Sequence, residues 1–265
     1  MKKRVSEREW KADVYHRVSR PQASWGKKVL AKLALRGDET VLDAGCGSGR
    51  LTAELLEGLP SGHVVALDLS RNMLSTARSY LAERFGSRVS LIAADLEDLP
   101  FSRRFDGVFS TAALHWVLDQ DRMFRELFRC LRPGGWLRAQ CGGKSNLERL
   151  LGRVRKLASS GEYAGFFVNY PEPWVFNDAE TAAVLLRNAG FVEVETGLEA
   201  APTTFDGEAE YVEFVGAVVL RVHLERIPDA ALRSQFVAEL VRQAARDDPP
   251  FSLDYWRLNI SAKVP

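Results

Sequence analysis

The chain has 265 residues, 46% of them hydrophobic and 27% charged, and a formal net charge of +1. That length suits one large domain or a core with a cap, the composition is that of an ordinary globular protein, and the charge argues against a nucleic-acid-binding field. No stretch reaches the roughly 18 apolar residues of a membrane span, and the three cysteines, Cys46, Cys130 and Cys141, form neither a disulfide framework nor a metal motif.

A helix is expected from about Glu7 to Val18, with Trp10, Val14 and Val18 at four-residue spacing and Tyr15 beside them. Pro21 breaks that pattern, and a second helix follows from about Ala23 to Leu35, ended by Gly37. The basic opening Met1–Arg4 has no apolar run behind it, so it reads as a solvated terminus rather than a secretory signal, and a cytoplasmic location is expected.

Next comes the stretch that organises the chain, Thr40-Val41-Leu42-Asp43-Ala44-Gly45-Cys46-Gly47-Ser48-Gly49-Arg50. An apolar, β-branched run ends at an acid, a glycine-rich turn follows, and then a helical pattern from Arg50 to Leu59. The glycines reach positive φ without a Cβ clash and leave room for a ligand against the backbone. The turn lacks the Gly-Lys-Ser/Thr ending of a P-loop. A second strand, His63–Leu67, runs into Asp68, where an acid can bond a ribose. Asp43 suits a ligand carrying positive charge and would repel a pyrophosphate, which favours the ammonium of S-adenosylmethionine over NAD.

Ser70 is an N-cap for a helix carrying Met73, Leu74, Ala77 and Leu81, and Gly86 ends it. A third strand, Val89–Ala93, leads to Asp95, and a fourth, Phe105–Ser110, leads to the loop Thr111–Val117. After a helix from about Asp121, Pro133-Gly134-Gly135 fits a type II turn before a fifth strand, Trp136–Cys141. Strands alternating with helices imply a parallel sheet whose ligand lies beyond the carboxyl ends of the strands. Asp43, Asp68, Asp95 and Thr111 fall there.

From Asn146 to Val175 a basic helical segment precedes an aromatic loop containing Tyr163, Phe166, Phe167, Tyr170 and Trp174. Asp178 caps a helix to Ala189, with Gly190 at its C′ position, and Phe191–Thr196 alternates as a strand. Two amphipathic helices are expected between Gly207 and Arg246, and a last strand over Tyr255–Ala262.

The order of these signals resembles the class I S-adenosylmethionine-dependent methyltransferases. The matching pieces are Val41–Gly49, Ala66-Leu67-Asp68, Ala94-Asp95-Leu96, Phe105–Ser110 and Leu131-Arg132-Pro133-Gly134-Gly135. The resemblance implies an α/β fold: a Rossmann-like, seven-stranded, mostly parallel sheet with helices on both faces and a helical lid. It divides the chain into N-terminal helices over the site (1–36), a cofactor core (37–143), lid segments (144–177 and 203–250) and pieces completing the sheet (178–202 and 251–265).

It also implies a cofactor set: Asp43, Ala44, Gly45, Cys46 and Gly47 near the methionine part, Asp68 on the ribose hydroxyls, and Leu69 and Met73 flanking the adenine. Ala94, Asp95 and Leu96 complete the adenine site, and Thr111 and Ala112 form the floor near the sulfonium. The segment Ala113-Leu114-His115-Trp116 and the opening Tyr15–Gln22 look like the subgroup that contains the trans-aconitate and malonyl methyl ester forming enzymes, which methylate carboxylates.

A carboxylic acid is already ionised at neutral pH, so it needs hydrogen-bond donors and no base. Gln22, His115, Trp116 and Tyr15 are the candidate donors or walls. Two other readings remain open: O- or C-methylation of a secondary metabolite with His115 as base, and a non-catalytic protein that binds S-adenosylmethionine or NAD. The expected acceptor is a small molecule, with no nucleic acid, membrane or metal involved. The chain is expected to act as a monomer or homodimer and to release S-adenosylhomocysteine.

Overall fold

The computed structural model describes residues 9–10 and 12–265, apart from the side chains of residues 13, 14 and 16. The expected helix start at Glu7, the basic opening and the Val14 side chain lie outside the described residues. Two helices precede the sheet, α1 (Ala12–Val18) and α2 (Arg20–Leu30). Pro21 sits in the first turn of α2 instead of separating the helices at a distance, because its missing N–H would have no partner there anyway. Helix α2 stops at Leu30, short of the expected Leu35, and Leu33 and Leu35 pack on the core from beyond its end.

Strand β1 (Thr40–Ala44) leads through the glycine turn into α3 (Arg50–Glu57), and β2 (His63–Asp68) leads into α4 (Arg71–Phe85). Strand β3 (Val89–Ala93) is followed by a loop, and β4 (Phe105–Thr111) by a short 3₁₀ turn, Leu114–Trp116, and α5 (Gln120–Cys130). Strand β5 (Leu131–Gly142) contains the proline–glycine turn, with Gly134 at φ +74°, as a type II turn requires. Then follow α6 (Glu148–Ala158), α7 (Ala179–Asn188) and β6 (Val192–Ala200). The remaining elements are β7 (Thr203–Thr204), α8 (Glu208–Phe214), α9 (Arg221–Leu224), α10 (Ala230–Ala244), β8 (Ser252–Leu253) and β9 (Trp256–Lys263).

The main sheet has seven strands in the order β3-β2-β1-β4-β5-β9-β6. The first five pair in parallel, and β9 inserts antiparallel between β5 and β6. Its central strands are apolar along their length because helices cover both faces. On one face α5 and α7 bury Phe124, Leu127, Ala182 and Leu186; on the other, α3 and α4 bury Leu55, Leu56, Ala77 and Leu81. Side-chain caps start the helices where expected: Ser70 Oγ accepts the Met73 N–H at 3.2 Å, and Asp178 accepts the Thr181 N–H at 2.8 Å.

A further apolar core lies beyond the sheet. It joins α6, α8 and α10 through Leu151, Tyr163, Phe214 and Phe236, and takes in Trp25 of α2 and Tyr255. The first of the two expected late helices is broken here. Residues Val215–Val219 form a π-helical turn closed by the Leu220 N–H on the Val215 carbonyl at 2.8 Å, which separates α8 from α9. No helix among the described residues is long and apolar enough to cross a membrane.

Candidate active site

The carboxyl ends of the strands open into a cleft of about 1370 Å³. That exceeds the usual volume of a single-ligand pocket and suits two ligands side by side. At the β1 end, Gly45 and Gly47 both have positive φ, +87° and +54°. A methyl group on Gly45 would lie 2.2 Å from the Ala113 Cβ, whereas one on Gly47 would meet nothing within 4 Å. Gly45 therefore fits the turn against the Thr111–Trp116 loop, and Gly47 leaves open space beside the cleft.

Asp68 ties the turn to α4. Its Oδ2 accepts the Gly47 N–H at 2.9 Å and its Oδ1 accepts the Ser70 N–H at 2.8 Å. Burial raises its pKa against the lowering effect of these bonds. Each oxygen keeps a lone pair for a further donor. Asp43 lies deeper. It is 2% exposed and accepts the Thr52 hydroxyl at 2.7 Å. Burial pushes its pKa up to about 7, with the Asp68 charge adding to the rise and the Thr52 bond opposing it.

Over this end lies the chain before α1. Glu9 accepts the Ser70 hydroxyl at 2.9 Å and the Asn72 N–H at 3.0 Å, so it caps α4 beside Asp68. Burial opposes its ionisation, but these bonds outweigh it and hold its pKa low. Trp10 packs edge-on against Tyr15 and Trp116, with the Arg221 guanidinium 4.5 Å from its ring centre.

The other end of the cleft is built on β4, β5 and β9. Ala112, at φ +54°, turns the chain over the end of β4 and donates its N–H to the Gln140 carbonyl at 2.8 Å. The next turn is pinned from α5, where Gln120 Nε2 donates to the carbonyls of Leu114 and Val117 at 2.8 and 2.6 Å. This sets His115 against β5, where its Nδ1 accepts the Gly142 N–H at 3.2 Å. An accepting Nδ1 leaves the proton of the neutral ring on Nε2. Burial pushes the His115 pKa down to about 3, with the Arg257 charge adding to the fall. The ring is thus a neutral donor at physiological pH.

Tyr15 and Gln22 line the same region. Burial raises the Tyr15 phenol to about 12, and the nearby Asp68 charge adds to that rise. Gln22 bonds the Tyr255 phenol, and its Oε1 has no partner.

Fourteen of the residues singled out from the sequence share this wall, although the segments carrying them are far apart in the chain. Gly45, Gly47, Asp68, Leu69, Met73, Ala94, Asp95, Leu96, Thr111 and Ala112 line it at one end, with Tyr15, Gln22, His115 and Trp116 toward the other. Asp43, Ala44 and Cys46 do not reach it. They lie behind the turn, buried at 2%, 0% and 9% exposure, because β1 ends inside the sheet. Sequence reasoning missed Tyr255, Arg257 and Asn146, which also line the cleft. Asn146 and Tyr255 lie in connections just outside α6 and β9, and Arg257 falls on the face of β9 that alternates as polar, so none carried a local signal.

A cleft beyond the carboxyl ends of a 3-2-1-4-5 parallel sheet, with room for two ligands, a glycine turn and an acid on the next strand, defines a class I methyltransferase. The family model of the methyltransferase domain matches residues 41–135. A trans-aconitate 2-methyltransferase of Methylobacterium nodulans is 30% identical over 257 residues, covering 91% of each chain. A malonyl-[acyl-carrier protein] O-methyltransferase of a Marinomonas strain is 40% identical over 114 residues, 42% of this chain and 41% of that one. The solved phosphoethanolamine N-methyltransferase 2 of Haemonchus contortus, bound to S-adenosylhomocysteine, superposes with a TM-score of 0.61 at 18% identity, over 96% of this chain and 56% of that one. The chain belongs to the S-adenosylmethionine-dependent methyltransferases, and S-adenosylmethionine is its cofactor.

Proposed function

We propose that the enzyme methylates a carboxylate oxygen of a small molecule. The observation that carries this reading is the His115–Gly142 bond. A phenol, amine or carbon acid calls for a base near neutrality, with a free lone pair facing the acceptor. His115 has neither, because its Nδ1 lone pair is taken and its pKa lies near 3. A carboxylate is already ionised and needs only to be oriented, and the Nε2–H of His115 is a donor suited to it. The relatives' names, trans-aconitate 2-methyltransferase and malonyl-[acyl-carrier protein] O-methyltransferase, point to acids as well.

In this reading Asp68 receives the ribose hydroxyls and Leu69, Met73 and Leu96 enclose the adenine, with Asp95 and Ala94 at its edge. The open space at Gly47 fits the methionine part. Asp43 acts from behind the turn, through its charge rather than by contact. Thr111 and Ala112 form the floor between the two ligands. When bound, S-adenosylmethionine supplies a methyl group on a sulfonium, already activated for in-line displacement. His115 and the Gln22 amide orient the acceptor oxygen, Trp116 and Tyr15 wall it from water, and no side chain takes a proton. A panel of small carboxylic acids and phenols, incubated with labelled donor and scored by product mass, tests this. Methyl esters are the expected products, and methylation of phenols or carbon acids alone would refute the reading.

A further inference from the structure

Strand β9 buries a positive charge with no carboxylate of the described residues paired to it. Arg257 is 3% exposed, and its guanidinium carbon lies 4.6 Å from the centre of the Trp25 ring. Its Nε has no hydrogen-bond partner. The titratable groups around it are Tyr15, Tyr255, Cys141 and His115. Burial pushes the two phenols and the thiol up and the imidazole down, so all four are neutral at physiological pH. A guanidinium cannot shed its proton to escape this setting. A buried ion without a counter-charge is strongly disfavoured, and stacking on one indole offsets only part of the penalty.

The position of this charge indicates what completes it. Arg257 pairs in register with Gly142, the residue whose N–H holds His115. It lines the cleft beside Tyr15, Gln22 and Tyr255. Between β2 and β9 the sheet takes four steps, which at ~4.8 Å per strand separates Asp68 from Arg257 by roughly 19 Å. The charge therefore belongs to the end of the cleft that holds the acceptor, away from the ribose acid.

We propose that Arg257 is the specificity-determining residue of the acceptor site: it pairs with the carboxylate of the acceptor and selects anionic molecules. The proposal rests on the carboxylate reading above. His115 Nε2–H orients the oxygen, and Arg257 supplies the charge that draws the anion out of water. Methylation removes the negative charge, so the ester loses its ion pair with Arg257 and leaves more readily than the acid.

The test uses the full chain with S-adenosylmethionine and three probe acids, trans-aconitate, malonate and benzoate, against Arg257→Met and Arg257→Lys. For each acid that the wild type methylates, KM is expected to rise at least about 30-fold in Arg257→Met and less in Arg257→Lys. Donor affinity by calorimetry is expected to stay within about twofold, and the melting temperature not to fall, because an uncompensated buried charge is being removed. An unchanged KM in Arg257→Met, with the acid still methylated, overturns the assignment of Arg257 and leaves the carboxylate reading standing. Lost donor affinity with an unchanged acceptor KM makes the missing anion the donor's own carboxylate and also overturns it. A wild type that methylates phenols and none of the acids defeats the carboxylate reading itself. A lowered melting temperature in both variants, without a KM effect in Arg257→Lys, marks a structural arginine.

Discussion

Replacing His115 by glutamine or phenylalanine separates a donor from a base. The imidazole gives up one lone pair to the Gly142 N–H at 3.2 Å and keeps one N–H. Phenylalanine removes that donor, and a hydrogen bond to a charged group is worth about 1.5–3 kcal/mol, or roughly 10- to 150-fold in kcat/KM. It also leaves the buried Gly142 N–H without an acceptor, at a cost of about 1–3 kcal/mol of stability. Glutamine offers both an oxygen for Gly142 and an N–H for the acceptor, so it is expected to retain most of the activity and most of the stability. The assay is the initial rate of ester formation at saturating donor from about pH 5.5 to 9. With a His115 pKa near 3, the ring is neutral across that whole range and contributes no limb. A limb near 7 that disappears in Asp43→Asn belongs to Asp43. A limb between about 6 and 7.5 that persists in Asp43→Asn and vanishes in His115→Gln would show a base at work and refute the donor assignment.

Asp43 makes a separate pH prediction. Its folded pKa of about 7 lies above the ordinary carboxylate value, so its contribution to stability is fully present at low pH and is lost as pH rises through 7. The ligand-free enzyme should melt lower at pH 8 than at pH 5, by an amount on the order of a few kcal/mol, and Asp43→Asn should flatten that slope. Asp68→Asn should weaken S-adenosylmethionine about 10- to 100-fold by calorimetry, and unchanged affinity would remove Asp68 from the ribose site. Gly45→Ala and Gly47→Ala both place alanine at positive φ, costing about 1–2 kcal/mol. Only the first meets a neighbour, the Ala113 Cβ at 2.2 Å, so it should melt clearly lower. Equal melting temperatures would refute the packing role of Gly45.

The end of the cleft that carries Gly45, Gly47 and Asp68 was legible because local signals carry it. The apolar run of β1, the glycine turn, Asp68 and the Ser70 cap stand close together in the chain, and each fixes its own backbone. The other end of the cleft, with Tyr255 and Arg257, depends on long-range packing. In β9 the alternation of Leu258, Ile260 and Ala262 puts Arg257, Asn259 and Ser261 on what looks like a solvent face. Helix α2 covers that face near Arg257, and Trp25 stacks on the guanidinium. A buried charge thus reads from sequence as an exposed one. The strands β7 and β8, two residues each, are too short for any alternation to register. The π turn was hidden for another reason: Tyr211, Phe214, Val215, Val218 and Val219 match a regular amphipathic stripe, and only the packing of α8 against α10 shows where the extra residue bulges.

The sheet order also bears on how the enzyme comes to be active. Strand β9 follows the other strands in chain order, yet it sits between β5 and β6, so among the described residues β6 pairs with no other strand and β5 keeps a bare edge until β9 arrives. The first five strands, up to Gly142, consist of nearby segments that can assemble early, as the chain is made. Tyr255 and Arg257 reach the cleft only once β9 and the residue before it are in place. A partly made chain can thus hold the Gly45–Asp68 end of the cleft, and with it Tyr15, Gln22, His115 and Trp116, before Arg257 joins them. The charge of Arg257 reaches the cleft with the same strand that covers the open edge of β5.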